Sequence, residues 1–414
     1  MKTKTCLTSL LPASKSGCTG CGLCLTVCKK NAISLKENED GFVSAVIDAS
    51  KCLRCGACHR ICKQLSEVPS GSNHQCYESW HKNSVARRSS SSGGVMYALA
   101  EHCIQRGGIV FGVEMQGSSR PCFVGIESLD DLPRIQGSKY LQANVGNCLS
   151  ELKKAVLSGR QVVFSGLACH ARAVRAMFGG VYDNLLIVDI ACFGAPSIHL
   201  LHAFLREYDL VPQEVQKMHF RYKTKGWRDY VLMIQTSDRT IQAPRNNLFM
   251  QGMLCSLGLN QCCYTCRTGI EERPGDLTLG DFWGRPTQED ELDGVSLVVS
   301  HTARGEQALQ KLSETLHLKL TSRELVEKCN AGVISRHSPI PPLRKAFLGA
   351  LKKHSVSYVL QRFIRNGLTP NTGILLGSHF FPTPTIFRKI KGKIKAIFGR
   401  MRNRLYPKHI TWEE

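Results

Sequence analysis

The chain has 414 residues, with 54 Lys+Arg against 33 Asp+Glu, and 20 cysteines. That length suits two or three domains with a buried core, and 43% apolar with 21% charged residues exclude a disordered or fibrous chain. No apolar run reaches the ~20 residues that span a bilayer. The longest candidate, 185–195, is interrupted by Asp189, and Leu7–Leu11 is too short for a secretory core. The expected location is cytoplasmic, with peripheral contact at the inner face of a membrane as a second expectation.

In chain order the first feature is a pair of cysteine runs. One reads Cys18-Thr19-Gly20-Cys21-Gly22-Leu23-Cys24-Leu25-Thr26-Val27-Cys28; the other reads Cys52-Leu53-Arg54-Cys55-Gly56-Ala57-Cys58-His59-Arg60-Ile61-Cys62. Cytoplasmic thiols stay reduced, so these are ligands rather than disulfides. The spacing C-x2-C-x2-C-x3-C resembles the two-cluster bacterial ferredoxins. Three thiolates on a tight loop hold three irons of one 4Fe–4S cube, and the fourth reaches the other cube. Cys18, Cys21, Cys24 and Cys62 are therefore assigned to one cluster, and Cys52, Cys55, Cys58 and Cys28 to the other. Gly20, Gly22 and Gly56 give the loops their permissive backbone. Zinc is the alternative, but it favours separated C-x2-C pairs. Lys29 and Lys63 follow the fourth cysteines, where Pro is usual; a cation there favours the reduced cluster.

The segment after Ser66 reads as polar and loop-like to about Ala86. Ser90-Ser91-Ser92-Gly93-Gly94 then leads into a helical pattern through Val95, Leu99 and Cys103. Ser92 is the expected N-cap, and the glycines with free N–H groups suit a phosphate. Strands are expected at 109–113, 162–165, 185–190, 230–235, 277–281 and 295–300. Helices are expected at 149–157, 171–178 and 305–316. This alternation predicts an α/β domain with a mixed, largely parallel sheet. Loops at the carboxyl ends of such strands gather on one edge. Cys169 and Cys192 follow two of these strands. With the pair Cys263 and Cys266 they could ligate a third 4Fe–4S cluster, unless they are small buried hydrophobes. Cys262 competes with Cys263.

Several segments in fixed order carry a wider resemblance. They are 90–94, Gln136-Gly137-Ser138-Lys139-Tyr140, Phe164–His170, Asp189–Ser197, Phe220–Trp227, Cys263–Cys266 and Gly280-Asp281-Phe282-Trp283-Gly284. Together with the cysteine runs they resemble the coenzyme F420 hydrogenase/dehydrogenase beta-subunit family. The resemblance implies FAD, iron–sulfur clusters and redox chemistry, and the same four ligands for a third cluster. It places FAD against Ser90, Ser91, Ser92, Gly93, Gly94, Gly137, Ser138, Lys139, Tyr140, Gly280, Asp281, Phe282 and Trp283. Lys139 would face a phosphate or the reduced flavin, if it is not a surface lysine; Trp227 and Trp283 could equally be core. His170 and Arg221 are candidates for substrate contact or proton supply, with local hydrogen bonding and surface charge as their plain alternatives. The chain departs from the family at Ala168, His170 and Phe193, which puts deazaflavin specificity in doubt. No Gly-x-Gly-x-x-Gly follows a strand, so no nicotinamide site is expected.

The net charge of +21 invites a nucleic-acid reading. Anionic clusters offset part of it, and nine basic residues sit in 388–408 alone. There Ile390, Ile394, Ile397, Phe398, Met401 and Leu405 share a face, which suits an anionic membrane surface or a terminal helix packed on its own domain. The expected organisation is a ferredoxin domain (1–66), a linker (67–87), an α/β flavin and iron–sulfur domain (88–330), a helical extension (331–380) and a basic amphipathic tail (381–414). The expected function is an iron–sulfur flavoprotein oxidoreductase coupled to hydride transfer, with surface-polysaccharide metabolism among the family's settings. Expected partners are a one-electron donor or acceptor protein such as a ferredoxin, and a small-molecule substrate or deazaflavin. An electron-transfer subunit with no substrate of its own, or a cluster-stabilised nucleic-acid or membrane module, is the alternative.

Overall fold

The computed structural model describes residues 17–64, 74–224, 226–284, 292–334 and 338–365. The basic tail, with its expected amphipathic helix, and Cys6 lie outside them. No helix among the described residues is long and apolar enough to cross a membrane.

Strands β1 (Ile33–Glu37) and β2 (Val43–Ile47) form an antiparallel hairpin between the two cysteine runs, pairing Ile33 with Ile47. Ile33, Ala45 and Ile47 make the small core beneath the thiols. Gln142 clips this hairpin to the rest of the chain. Its side chain, 2% exposed, accepts from Val43 N at 2.7 Å and donates to the Val43 and Thr19 carbonyls at 3.0 Å each.

Among the described residues the large sheet has eight strands. They are β3 (Gln75–His81), β4 (Ile109–Glu114), β5 (Cys122–Ile126), β6 (Val162–Leu167), β7 (Leu185–Ile190), β11 (Leu277–Asp281), β12 (Ser296–Ser300) and β13 (Leu316–Thr321). Their order is β13-β3-β12-β11-β7-β6-β4-β5. The centre is parallel (β4, β6, β7, β11), and every pairing outside it is antiparallel. The sheet is thus mixed with a parallel heart rather than largely parallel. The central strands are β-branched and apolar because helices cover both faces: Val110, Phe111, Phe164, Val188 and Leu277 are at most 1% exposed.

Two local expectations need correcting. Residues 75–81, read from sequence as part of a polar linker, are β3, which lies between β12 and β13. Ser92 is not the N-cap of the helix Val95–Gln105. Gly94 holds that position at φ 92°, with no side-chain cap, while the Ser92 hydroxyl donates to the Val295 carbonyl at 2.8 Å.

A second sheet, β10 (Thr240–Pro244), β9 (Tyr230–Gln235) and β8 (Lys217–Lys223), is antiparallel. It buries Phe220, Leu232 and Ile234 against Phe249 and helix Ile198–Leu205. Helices Arg344–Lys353 and Val356–Leu360 close the same core with Phe347, Leu351 and Val359. Alternation along β8 turns Arg221 away from Phe220's core.

Candidate functional site

The two ligand loops repeat one conformation. Gly20 and Arg54, each two residues after the first thiol, are left-handed at φ 72° and 53°. The Gly20 N–H donates to Cys18 Sγ and the Arg54 N–H to Cys52 Sγ, both at 3.4 Å. Ala32 N–H donates to Cys28 Sγ at 3.3 Å. Burial, opposed by the Leu23 N–H, pushes the Cys21 thiol up to about 11, with Cys18 and Cys62 adding to the rise. Burial, then Cys21, Cys18, Cys62 and most weakly Cys58, raises Cys24. Cys58 is raised by burial, with Cys52 and Cys28 as its charged neighbours. Such crowded thiols fit a cationic core that takes them as thiolates. Among the described residues no three His, Cys, Asp or Glu side chains close on a point that would hold a single metal ion.

A second set of thiols gathers at the carboxyl ends of β6 and β7. Cys169 opens the helix Ala168–Phe178 directly after β6, and Cys192 follows β7. Helix Gln261–Tyr264 brings Cys263, and Cys266 follows it. Burial raises Cys169, and Cys266, Cys192, Cys263 and Cys21 add to it, largest first. Burial and then Cys263 push Cys192 up to about 12. Backbone N–H groups again face sulfur: Gly194 to Cys192 at 3.3 Å and Ala195 to Cys263 at 3.4 Å. Cys262 shares a thiol hydrogen bond with Cys263 and lies close to the same set. Cys21 and Leu23 pack on Ala173, so the first ligand loop adjoins this set. Cys103 is core on its helix.

The same sheet edge carries a cleft of about 330 Å³. Its walls unite Ser90, Ser91, Ser92 and Gly94 with Gly137, Ser138, Lys139 and Tyr140, and with Gly280 and Asp281. The first two stretches are joined by Ser138 donating to Ser91 at 3.0 Å. Cys192, His170 and Arg221 line the cleft as well. Three of the expected residues stand off its wall. Gly93 packs on β3 and β12, where a Cβ would come within 2.4 Å of the Ser79 carbonyl. Phe282 is core at 0% exposure. Trp283 stacks on Trp227 with centroids 5.1 Å apart, and Trp227 is 1% exposed.

The charged groups lining the cleft are half-buried, and His170 is buried. Lys139 donates to the Gln136 carbonyl at 2.6 Å, and burial, opposed by Glu114, pushes its ammonium down to about 7. Burial pushes His170 down to about 4; its Nε2 has no hydrogen-bond partner among the described residues, and its ring meets Phe123 edge-on at 4.9 Å. Arg221 pairs with Asp281 at 2.5 Å and lies over the Tyr230 ring at 4.8 Å, leaving Nε and Nη2 without hydrogen-bond partners among the described residues. A cleft with buried, unsatisfied donors fits a polar ligand better than a dry void.

Sequence reasoning missed the group beneath the second thiol set. Asp189, 0% exposed, accepts from Arg273 at 3.0 Å, Thr278 at 2.9 Å and Gly275 N at 2.9 Å. Arg273 faces Cys192 and Cys266 and favours their thiolates. Thr278 also meets His301 Nε2 at 2.8 Å, and His301 meets His74 at 2.9 Å, which pairs with Glu271 at 2.7 Å. Burial, then His74 and Arg273, pushes His301 down to about 3 against the pull of Asp276 and Glu271. A histidine kept neutral when folded but free to protonate when unfolded supports the fold above about pH 6.5. That support fades as pH falls from there toward 3, at ~1.4 kcal/mol per unit. His301→Gln is expected to flatten this part of the acid-unfolding profile. Identical wild-type and variant profiles between pH 6.5 and 4, read by tryptophan fluorescence, would contradict it.

Two family models match parts of the chain. Residues 17–64 match the 4Fe–4S dicluster domain, and residues 159–325 match the carboxyl-terminal region of the coenzyme F420 hydrogenase/dehydrogenase beta-subunit family. The chain joins these two domains. It is an iron–sulfur redox protein related to the F420 hydrogenase beta subunits. No curated protein matches the chain. Among solved structures, a chain of the F420-reducing NiFe hydrogenase complex from Methanosarcina barkeri, studied by xenon derivatization, is similar at 18% identity. The likeness covers 64% of this chain and 90% of that one, with a TM-score of 0.42.

Proposed function

We propose that this chain is an iron–sulfur flavoprotein oxidoreductase. In this reading Cys169, Cys192, Cys263 and Cys266 hold a third 4Fe–4S cluster, and FAD occupies the cleft. One observation carries it: Cys192 belongs both to the thiol set and to the cleft wall. A one-electron centre and a two-electron ligand would there be neighbours. FAD, when bound, supplies hydride exchange with a small-molecule substrate. The chain's own groups supply the rest. Ser91 and the uncapped N–H groups at the start of helix Val95–Gln105 suit a pyrophosphate. Arg221, already balanced by Asp281, has two donors left for an anionic edge. His170, neutral at physiological pH, can hold or accept a proton at Nε2.

The test is anaerobic purification with iron, sulfide and flavin quantified together. About one FAD per chain is expected. Lys139→Met should lower bound flavin severalfold and leave iron unchanged. Flavin-free, iron-replete protein that also fails to take up added FAD would end the flavin reading. The family's description as a beta subunit favours a second reading, in which this chain serves a larger redox complex. Co-purification of a stoichiometric partner with no turnover by the isolated chain would select it.

A further inference from the structure

The charge of the ferredoxin region is polarised. Three of its four carboxylates, Glu37, Glu39 and Asp40, lie at the hairpin turn, where Glu37 pairs with Arg120 at 2.6 Å and Asp40 with Arg344 at 3.1 Å. At the opposite end, around Cys28, Cys52, Cys55 and Cys58, lie the exposed cations Lys29, Lys30, Lys51, Arg54 and Arg60. Asp48, 4.0 Å from Lys51, is the carboxylate among them. In their midst the chain exposes apolar and ligand groups together. Leu53, between two ligands, is 69% exposed, and Cys55 is the exposed thiol of its run. By contrast Cys21, at the matching position of the first run, is buried against Ala173. One loop therefore faces the protein interior, and its counterpart faces solvent.

We propose that this face, centred on Leu53 and Cys55 and rimmed by Lys29, Lys30, Lys51 and Arg54, is the docking surface for a small acidic one-electron carrier protein. An apolar centre within a charged rim is the anatomy of a transient interface. The rim's sign selects an acidic partner and speeds its encounter. One electron would pass from the carrier's reduced centre to the cluster that Cys28, Cys52, Cys55 and Cys58 would hold. The carrier is oxidised by one, the cluster is reduced by one, and no bond or proton moves. Two such visits supply the electrons of one hydride. The inference rests on those four thiols binding a cluster, which iron content tests separately.

The experiment uses the anaerobic full-length holoprotein and a plant-type acidic ferredoxin as the probe. Binding of the oxidised probe is followed by interferometry, and electron transfer from the reduced probe by stopped flow, from low to high NaCl. The rate constant should fall steeply with salt. The variant Lys30→Glu, Lys51→Glu, Arg54→Asp should bind and react at least ~tenfold more slowly at low salt. Asp suits position 54 because the backbone there is left-handed, at φ 53°. Iron content and reduction by methyl viologen radical check that the variant keeps its clusters. Lys311→Glu, Lys319→Glu changes exposed charges on other elements and should keep the wild-type rate. A salt-independent rate, an unaffected triple variant, or equal slowing by the two sets of substitutions would each overturn the docking site. Loss of iron from the wild-type chain itself would instead overturn the ligand assignment.

Discussion

A Cys192→Ser chain purified without oxygen is expected to carry about eight irons, against about twelve for the parent, because each cube holds four. The substitution removes a thiol from the set formed with Cys169, Cys263 and Cys266, the proposed ligands of the third cluster. It leaves the ferredoxin loops untouched, since those thiols lie on other elements. Serine preserves the Gly194 N–H contact, so the loop after β7 has no reason to collapse. Cys122→Ser is the matched control, because that thiol is exposed on β5 and belongs to no set. Cys262→Ser separates the adjacent candidates: unchanged iron leaves Cys263 as the ligand. The kinetic consequence should exceed the loss of iron. Cys169 neighbours Cys21 on one side, and Cys192 lines the cleft on the other. The second thiol set therefore bridges the ferredoxin region and the ligand cleft. Reduction of a cleft-bound flavin through the ferredoxin clusters should slow by orders of magnitude, while direct reduction by a small molecule persists. Twelve irons in the Cys192→Ser chain would remove the third cluster from the account.

What could be read beforehand depended on how local the cause was. The ferredoxin loops were legible because the bound group dictates their spacing, and the left-handed positions at 20, 22, 54 and 56 follow from it. The central strands β4, β6, β7 and β11 were legible as short apolar runs. β3 was not. Its sequence, Gln-Cys-Tyr-Glu-Ser-Trp-His, reads as polar, yet Glu78 and Ser79 are buried at 4% and 0% exposure. Its pairing with β12 joins positions more than two hundred residues apart, and no local pattern reports that. The cleft followed the same rule. Its Ser-Gly and Gly-Ser-Lys-Tyr segments carried a signal, whereas the placement of Gly93, Phe282 and Trp283 behind the wall depends on the register of β12 and on the Trp227 stack. Arg273 and His301 carried no signal at all, because their importance comes from Asp189, far away in sequence.

That buried pair sets the second large expectation. Asp189→Ala should destabilise the chain by about 3–5 kcal/mol, since it leaves Arg273, 1% exposed, as an uncompensated interior charge. Thr278 and Gly275 N lose an acceptor in the same step. Against a typical total of about 5–15 kcal/mol, this is a large fraction, and the melting temperature should drop by about 10 °C or more. The double variant Asp189→Leu, Arg273→Met removes both charges and keeps apolar volume, so it should recover more than half of the loss. Full recovery is not expected, because the Gly275 N–H remains without its partner. The pair also has an electrostatic role that packing cannot replace. Arg273 favours the thiolates of Cys192 and Cys266. On the proposed third cluster, a folded double variant should therefore show a lower midpoint potential for that cluster, read by redox titration with magnetic-resonance detection, while the two ferredoxin clusters keep theirs. Melting of Asp189→Ala within about 2 °C of the parent would show that β7 does not need this carboxylate. An unshifted third potential in the stable double variant would show that Arg273 supports the fold alone.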